Sequence, residues 1–105
     1  MARSADLRQV FQRRLKQLRL EKGLSQYELG AKIGLDDFVA APRINRYEKG
    51  VNQPNMDTVA RLAGVLKVPS AYFFAEEERL ARMILAFDGL TITQKEELIT
   101  RLESR

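Results

Sequence analysis

Apolar residues recur at helical spacing along the whole of this chain, and no stretch sustains the period-two alternation of a half-buried strand. Leu7, Phe11, Leu15 and Leu18 are spaced four, four and three apart and share one face of a first predicted helix. Arg8, Arg13, Arg14, Lys16 and Arg19 fill much of its remaining circumference; Arg13, Arg14 and Lys16 read as a solvated face that adds at most long-range attraction. Gly23 suits the left-handed residue that follows a last helical turn.

Ser25-Gln26-Tyr27-Glu28 has the form of a capping box, in which a hydroxyl and a carboxylate each satisfy an amide of a helix start. The second helix is predicted from Gln26 to about Ile33, stopping at Gly34, and Leu35–Ala41 reads as a loop. Pro42 then opens a third helix, because a missing N–H costs nothing in a first turn. Ile44 and Tyr47 face inward on that helix, which ends at Lys49-Gly50. After the Val51–Pro54 turn, Asn55 caps a fourth helix with Met56, Val59, Leu62, Ala63 and Leu66 inward, and Lys67-Val68-Pro69 closes it. Ser70 is placed to cap an aromatic turn with Tyr72, Phe73 and Phe74. A helix from Glu76 to about Phe87 carries Leu80, Ile84 and Phe87 on one side. Thr93-Gln94-Lys95-Glu96 reads as a second capping box, opening a final helix with Leu98, Ile99 and Leu102. The expected fold is all-α.

The 105 residues include no cysteine and no histidine, which removes disulfides, thiol nucleophiles, imidazole bases and zinc sites built from either residue. No enzyme, cofactor or metal is expected. Glu76-Glu77-Glu78 is contiguous on a helix, so its carboxylates diverge and read as an acidic helix start, favoured by the positive end of the dipole. No apolar run spans a bilayer and the amino terminus lacks a signal-peptide core, so a soluble, cytoplasmic protein is expected. Residues 1–50 carry 11 Lys/Arg against 6 Asp/Glu, net +5, and residues 51–105 carry 7 against 8, net −1. A basic half beside a near-neutral half suits a face that meets a polyanion.

The runs LRLEKGLSQYELGAKIG, INRYEKGVNQP and MDTVARLAGVLKVP resemble the lambda-repressor and Cro type of helix-turn-helix, the XRE family. The resemblance covers roughly Phe11 to Phe74 and rests on Arg19, Gly23-Leu24-Ser25-Gln26, Leu29, Gly34, Ile44, Glu48, Gly50 and Pro54 at fixed offsets. It implies a lambda-repressor-like five-helix DNA-binding domain over residues 7–74. Residues 75–105 would form a carboxy-terminal helical extension. It also implies an internal ion pair between Arg19 and Glu48 that builds the scaffold without touching DNA.

Two departures stand out. Gly30 occupies a position that is usually alanine, at the close crossing of the second helix, and helix propensity alone favours alanine there by ~1 kcal/mol. The connection from Gly34 to Ile44 is also longer than usual, with Asp36-Asp37-Phe38-Val39 as the apparent insertion, and a family subset with PRIN in the third helix looks similar. Phe38 is expected to pack under that loop, with the two aspartates pointing away from DNA or capping the third helix.

In the family's docking mode the third helix enters the major groove and the second crosses the backbone. Carried onto this chain, the expected base contacts are Arg43, Asn45, Ala41 and Pro42. Arg43 can pair bidentately with a guanine edge. Asn45 either reads adenine or caps a local turn, while Ala41 and Pro42 either meet a thymine methyl or serve the helix start. The expected backbone contacts are Ser25, Gln26, Arg46, Lys49, Asn52 and Gln53, with plain helix-start filler as the alternative for Gln26.

The carboxy-terminal segment carries more apolar residues than one short hairpin hides, so it either extends the core of a monomer or makes a two-fold dimer contact. The expected function is a DNA-binding transcriptional regulator, a repressor, acting as a homodimer on double-stranded DNA. An antitoxin-like module that holds a protein partner through its last helices is the alternative.

Overall fold

A computed structural model describes residues 6–104. Six α-helices follow in order, α1 Leu7–Glu21, α2 Gln26–Lys32, α3 Asp37–Lys49, α4 Met56–Leu66, α5 Glu78–Asp88 and α6 Ile92–Glu103. A 3-10 turn, Ser70–Phe74, lies between α4 and α5, and no strand occurs among the described residues.

Local chemistry sets most of the boundaries. The Ser25 hydroxyl accepts from the Glu28 amide at 2.9 Å and the Ser25 amide donates to the Glu28 carboxylate at 2.8 Å, so both halves of the capping box form. Asn55 caps α4 by accepting from the Thr58 amide. Gly23, Gly34 and Gly50 take positive φ at the ends of α1, α2 and α3, as C-terminal helix signals require.

The core lies among α1–α4 and the aromatic turn. Phe11, Leu15 and Leu18 meet Leu29, Ile33, Ile44, Tyr47, Leu62, Leu66 and Phe73 there. Phe11 packs its ring 5.2 Å from Phe73 and 5.9 Å from Phe74, which ties the start of α1 to the turn after α4.

Several expectations fail here, each for a physical reason. Leu35–Ala41 is not a loop. The α2–α3 connection is only Ile33–Asp36, and the extra residues lengthen α3 by its first turn. Pro42 therefore sits inside α3 rather than at its start. A proline there deprives the Phe38 carbonyl of its helical donor, and Phe38 is 95% exposed, so solvent can serve that carbonyl. Phe38 accordingly packs under nothing. Ala40 explains why the helix extends so far back, because it is buried against α2 and prolongs the Ile44–Tyr47 stripe by one turn.

Gly30 makes that contact possible. A Cβ built on it would lie 2.6 Å from the Ala40 carbonyl oxygen and 2.7 Å from the Ala40 Cα. Backbone cannot yield as a flexible side chain does, so the crossing excludes alanine despite its higher helix propensity.

Arg14 is not solvated. Its guanidinium is buried, donates to the Ala75 carbonyl at 2.8 Å, reaches Glu78 at 3.3 Å and lies over the Tyr72 ring. The arginine's long stem lets it cross the core edge and hold the chain that leaves the aromatic turn. Leu7, Met56 and Leu80 are exposed although their spacing places them inward: Leu7 and Met56 line a shared apolar groove with Phe11, Val59 and Phe74, and Leu80 lies in the first turn of α5. Pro69, not Ser70, flanks the 3-10 turn, which has no side-chain cap. The second capping box is formed by Thr91 and Gln94, two residues before the expected one, so α6 starts at Ile92. Likewise α5 starts at Glu78 rather than Glu76.

The last helices stand apart. Ala81 is the only fully buried residue of α5, and α6 has none among the described residues. The radius of gyration is 15.6 Å, above the ~13 Å of a compact chain of this length.

Candidate nucleic-acid interface

A buried polar network joins α1, α2 and α3. Arg19 donates through Nε and Nη2 to the two Glu48 carboxylate oxygens at 2.6 and 3.0 Å, and through Nη1 to the Leu24 carbonyl at 2.9 Å. Gln26 adds a fourth bond, donating from Nε2 to Glu48 at 3.1 Å. Bidentate geometry with the third guanidinium nitrogen also bonded is the condition under which a buried pair fixes an arrangement. The expected Arg19–Glu48 pair is therefore present, and Gln26 belongs to it.

Gln26 consequently has one amide proton directed to Glu48 and a second, with the carbonyl oxygen, still to offer. The Glu28 carboxyl is held below the usual glutamate range by its backbone hydrogen bond from Ser25, with the Ser25 side chain contributing further. Across the α2–α3 turn the Tyr27 hydroxyl donates to Asp37 at 2.8 Å, and that bond to a carboxylate pushes the phenol above its ordinary value. The turn is thus bound on its inner side by Gly30 against Ala40 and on its outer side by Tyr27 with Asp37.

The outer face of α3 follows from its buried one. Ala40, Ile44, Tyr47 and Glu48 point inward, so Phe38, Pro42, Asn45 and Lys49, spaced four, three and four apart, form the opposite ridge. Phe38, Pro42 and Lys49 are exposed and Asn45 is half-buried. Arg46 is exposed beside the ridge, and half-buried Ala41 flanks it on the α2 side.

Arg43 sits on the other flank, half-buried, where it shares a shallow depression with Tyr47, Val51, Asn52 and Gln53. The fold therefore brings Arg43 together with Asn52 and Gln53 and separates it from the ridge. Ser25 is exposed at the start of α2. Sequence reasoning missed Phe38 and Tyr27. Continuing the helical period backwards from Ile44 through Ala40 would have found the first.

Among the described residues no group of acidic side chains is placed to hold a metal ion, and no helix is long and apolar enough to cross a membrane. The outward face of α3 instead combines cations, amides and apolar groups, which suits a polar, negatively charged surface with apolar features at its base.

This arrangement is that of a recognised class: a helix-turn-helix family model matches residues 15–73, more than half of the chain, and the protein belongs to that family. The cryptic phage CTXphi transcriptional repressor RstR of Vibrio cholerae is 29% identical over 102 residues, covering 90% of this chain and 86% of its own length. The crystal structure of the transcriptional regulator BswR superimposes with a TM-score of 0.81 at 42% identity, covering 90% of this chain and 93% of that one. A hypothetical transcription factor from Neisseria, NHTF, shares the fold at 22% identity with a TM-score of 0.64, covering 79% of this chain and 94% of its own. The all-α, lambda-repressor-like fold is thus shared well beyond the helix-turn-helix itself.

Proposed function

We propose that this protein is a sequence-specific DNA-binding transcriptional regulator, a repressor rather than an enzyme, that binds a pseudo-palindromic operator as a homodimer in the cytoplasm. The observation that carries this reading is the outward ridge of α3, held against α2 by the Arg19–Glu48–Gln26 network. In docking of this type such a helix lies in the major groove and the preceding helix crosses the backbone.

Residues 7–74 form the DNA-binding unit. Ala41, Pro42 and Asn45 meet base edges from the ridge, and Arg43 reaches them from its flank. Ser25 and Gln26 at the start of α2, Arg46 and Lys49 late in α3, and Asn52 and Gln53 in the following turn hold phosphates. The Pro42-Arg43-Ile44-Asn45 run supports placing the chain in the family subset that carries extra residues ahead of that isoleucine.

Residues 75–105 form the dimerisation element. Leu80, Met83, Leu85, Ile92 and Leu102 are exposed on α5 and α6, more apolar surface than this extension needs for its own packing. Two-fold pairing there would set two copies of α3 about 34 Å apart, one turn of duplex. The same exposed faces favour a second reading, in which α5 and α6 hold a different protein as an antitoxin does.

Selection of bound duplexes from a random pool at two salt concentrations tests the proposal. An inverted repeat that stays enriched at the higher salt is the expected result. Binding that fades with salt and enriches nothing would leave only a basic surface.

A further inference from the structure

We propose that Phe38 reads thymine: its ring packs on the 5-methyl group of a thymine in the operator's major groove. The assignment rests on the DNA-binding reading above and adds to it a residue and a base.

Phe38 is the second residue of α3, and in this docking mode the first residues of the recognition helix face the base edges. The residue is 95% exposed, so it does no work in the core. Phenylalanine also has no helix-forming advantage over alanine or leucine, so local structure does not call for it. It stands at the amino-terminal end of the ridge that continues through Pro42 and Asn45.

The charges around it indicate which part of a duplex this turn meets. Asp36 and Asp37 precede Phe38, and carboxylates are repelled by the sugar–phosphate ridge. The cations of α3 assigned to phosphates, Arg46 and Lys49, both lie further along the helix. An acidic and aromatic amino-terminal end with a cationic carboxy-terminal end places the first turn over the groove floor and the last turns by the phosphates. On that floor the thymine methyl is the apolar feature available to a phenyl ring. The Tyr27–Asp37 hydrogen bond and the Gly30–Ala40 contact hold the turn in place, so the ring is presented by a braced element.

The test uses the full chain and a duplex obtained by selection, with each thymine replaced singly by deoxyuridine, which lacks only the methyl group. Wild-type protein should lose about fourfold in affinity at one thymine of a half-site, the worth of one buried methyl group. Phe38→Ala should bind the unmodified duplex about tenfold or more weakly and be indifferent to uracil at that position, with its response at other positions unchanged. Its melting temperature should match wild type, because the side chain touches nothing in the fold.

Unchanged affinity in Phe38→Ala, or a weaker variant that still senses the same methyl, would overturn the assignment. A variant that loses self-association while keeping its thymine preference would overturn it too, and would move Phe38 to a protein contact. Wild-type protein that prefers no sequence would instead sink the DNA-binding reading, and this assignment with it.

Discussion

Between α1 and the aromatic turn, helical spacing in the sequence mostly corresponds to burial, whereas in α5 and α6 the same kind of spacing gives only half-burial at Ile84, Phe87, Leu98 and Ile99 and leaves Leu80 and Leu102 in solvent. The two regions differ in what each helix faces. Each of the first four has neighbours on its inner side, with α2 and α3 in close contact along their crossing. α5 touches the 3-10 turn through little more than one side, and α6 buries none of its described residues. An amphipathic stripe states that a helix has a partner surface. It does not state whether that surface lies in the same chain.

Arg14 is the hinge of the comparison. It lies in α1, in the core region, yet its hydrogen bonds go to Ala75 and Glu78 at the start of the extension. Its guanidinium is almost wholly buried at 1% exposure, while its partner Glu78 is 66% exposed. Among the described residues one guanidinium nitrogen, Nη2, has no hydrogen-bond partner. The arginine thus anchors the extension mainly by its bond to a backbone carbonyl and its position over Tyr72, with the ion pair as a lesser contribution.

The contrast can be broken at four points, in falling order of expected effect. Glu48→Ala removes one partner of a buried ion pair and orphans Arg19. It should cost about 3–5 kcal/mol in urea unfolding. A loss under 1 kcal/mol would mean that the network does not hold α1 to α3.

Arg14→Ala should cost about 1–3 kcal/mol through the carbonyl it leaves without a donor, with lost packing added. Glu78→Gln, at the exposed end of the same contact, should cost less than about 1 kcal/mol. Equal losses in the two variants would show that the ion pair, not the carbonyl, holds the extension.

Gly30→Ala should destabilise by about 1–3 kcal/mol, the usual result of overpacking a close contact. Thermal melting followed by circular dichroism measures it. A gain in stability, as propensity predicts, would mean that α3 can move away from α2.

The smallest effect on stability belongs to α6. Ile92→Asp combined with Leu102→Asp should change the unfolding free energy of the core by no more than about 0.5 kcal/mol, as for exposed sites generally. If the proposed dimer pairs through these helices, sedimentation should show the substituted chain as a monomer. A doubly substituted chain that stays dimeric would place the interface elsewhere, and one that melts early would make α6 part of the core.

Much of this molecule was legible without coordinates. The Ser25–Glu28 box, the Asn55 cap, the glycine stops and the Arg19–Glu48 pair follow from local chemistry or from a motif with fixed offsets. The errors cluster where a local rule met a tertiary contact. Local chemistry favours Pro42 at a helix start, but a buried alanine six residues after Gly34 prolongs α3 through it. Charge on a helix is usually solvated, which is the local expectation for Arg14, yet the carbonyl that holds it, Ala75, lies 61 residues away in the chain.

Fold class follows from the sequence alone, all-helical with a helix-turn-helix, because periodicity, caps and motif spacing are properties of neighbouring residues. Only the tertiary structure decided that α3 begins at Asp37, that Gly30 must lack a side chain, that Arg43 sits on a flank and that Phe38 leads the ridge. Those outcomes depend on the distance between two backbones, which residues near in the chain do not encode.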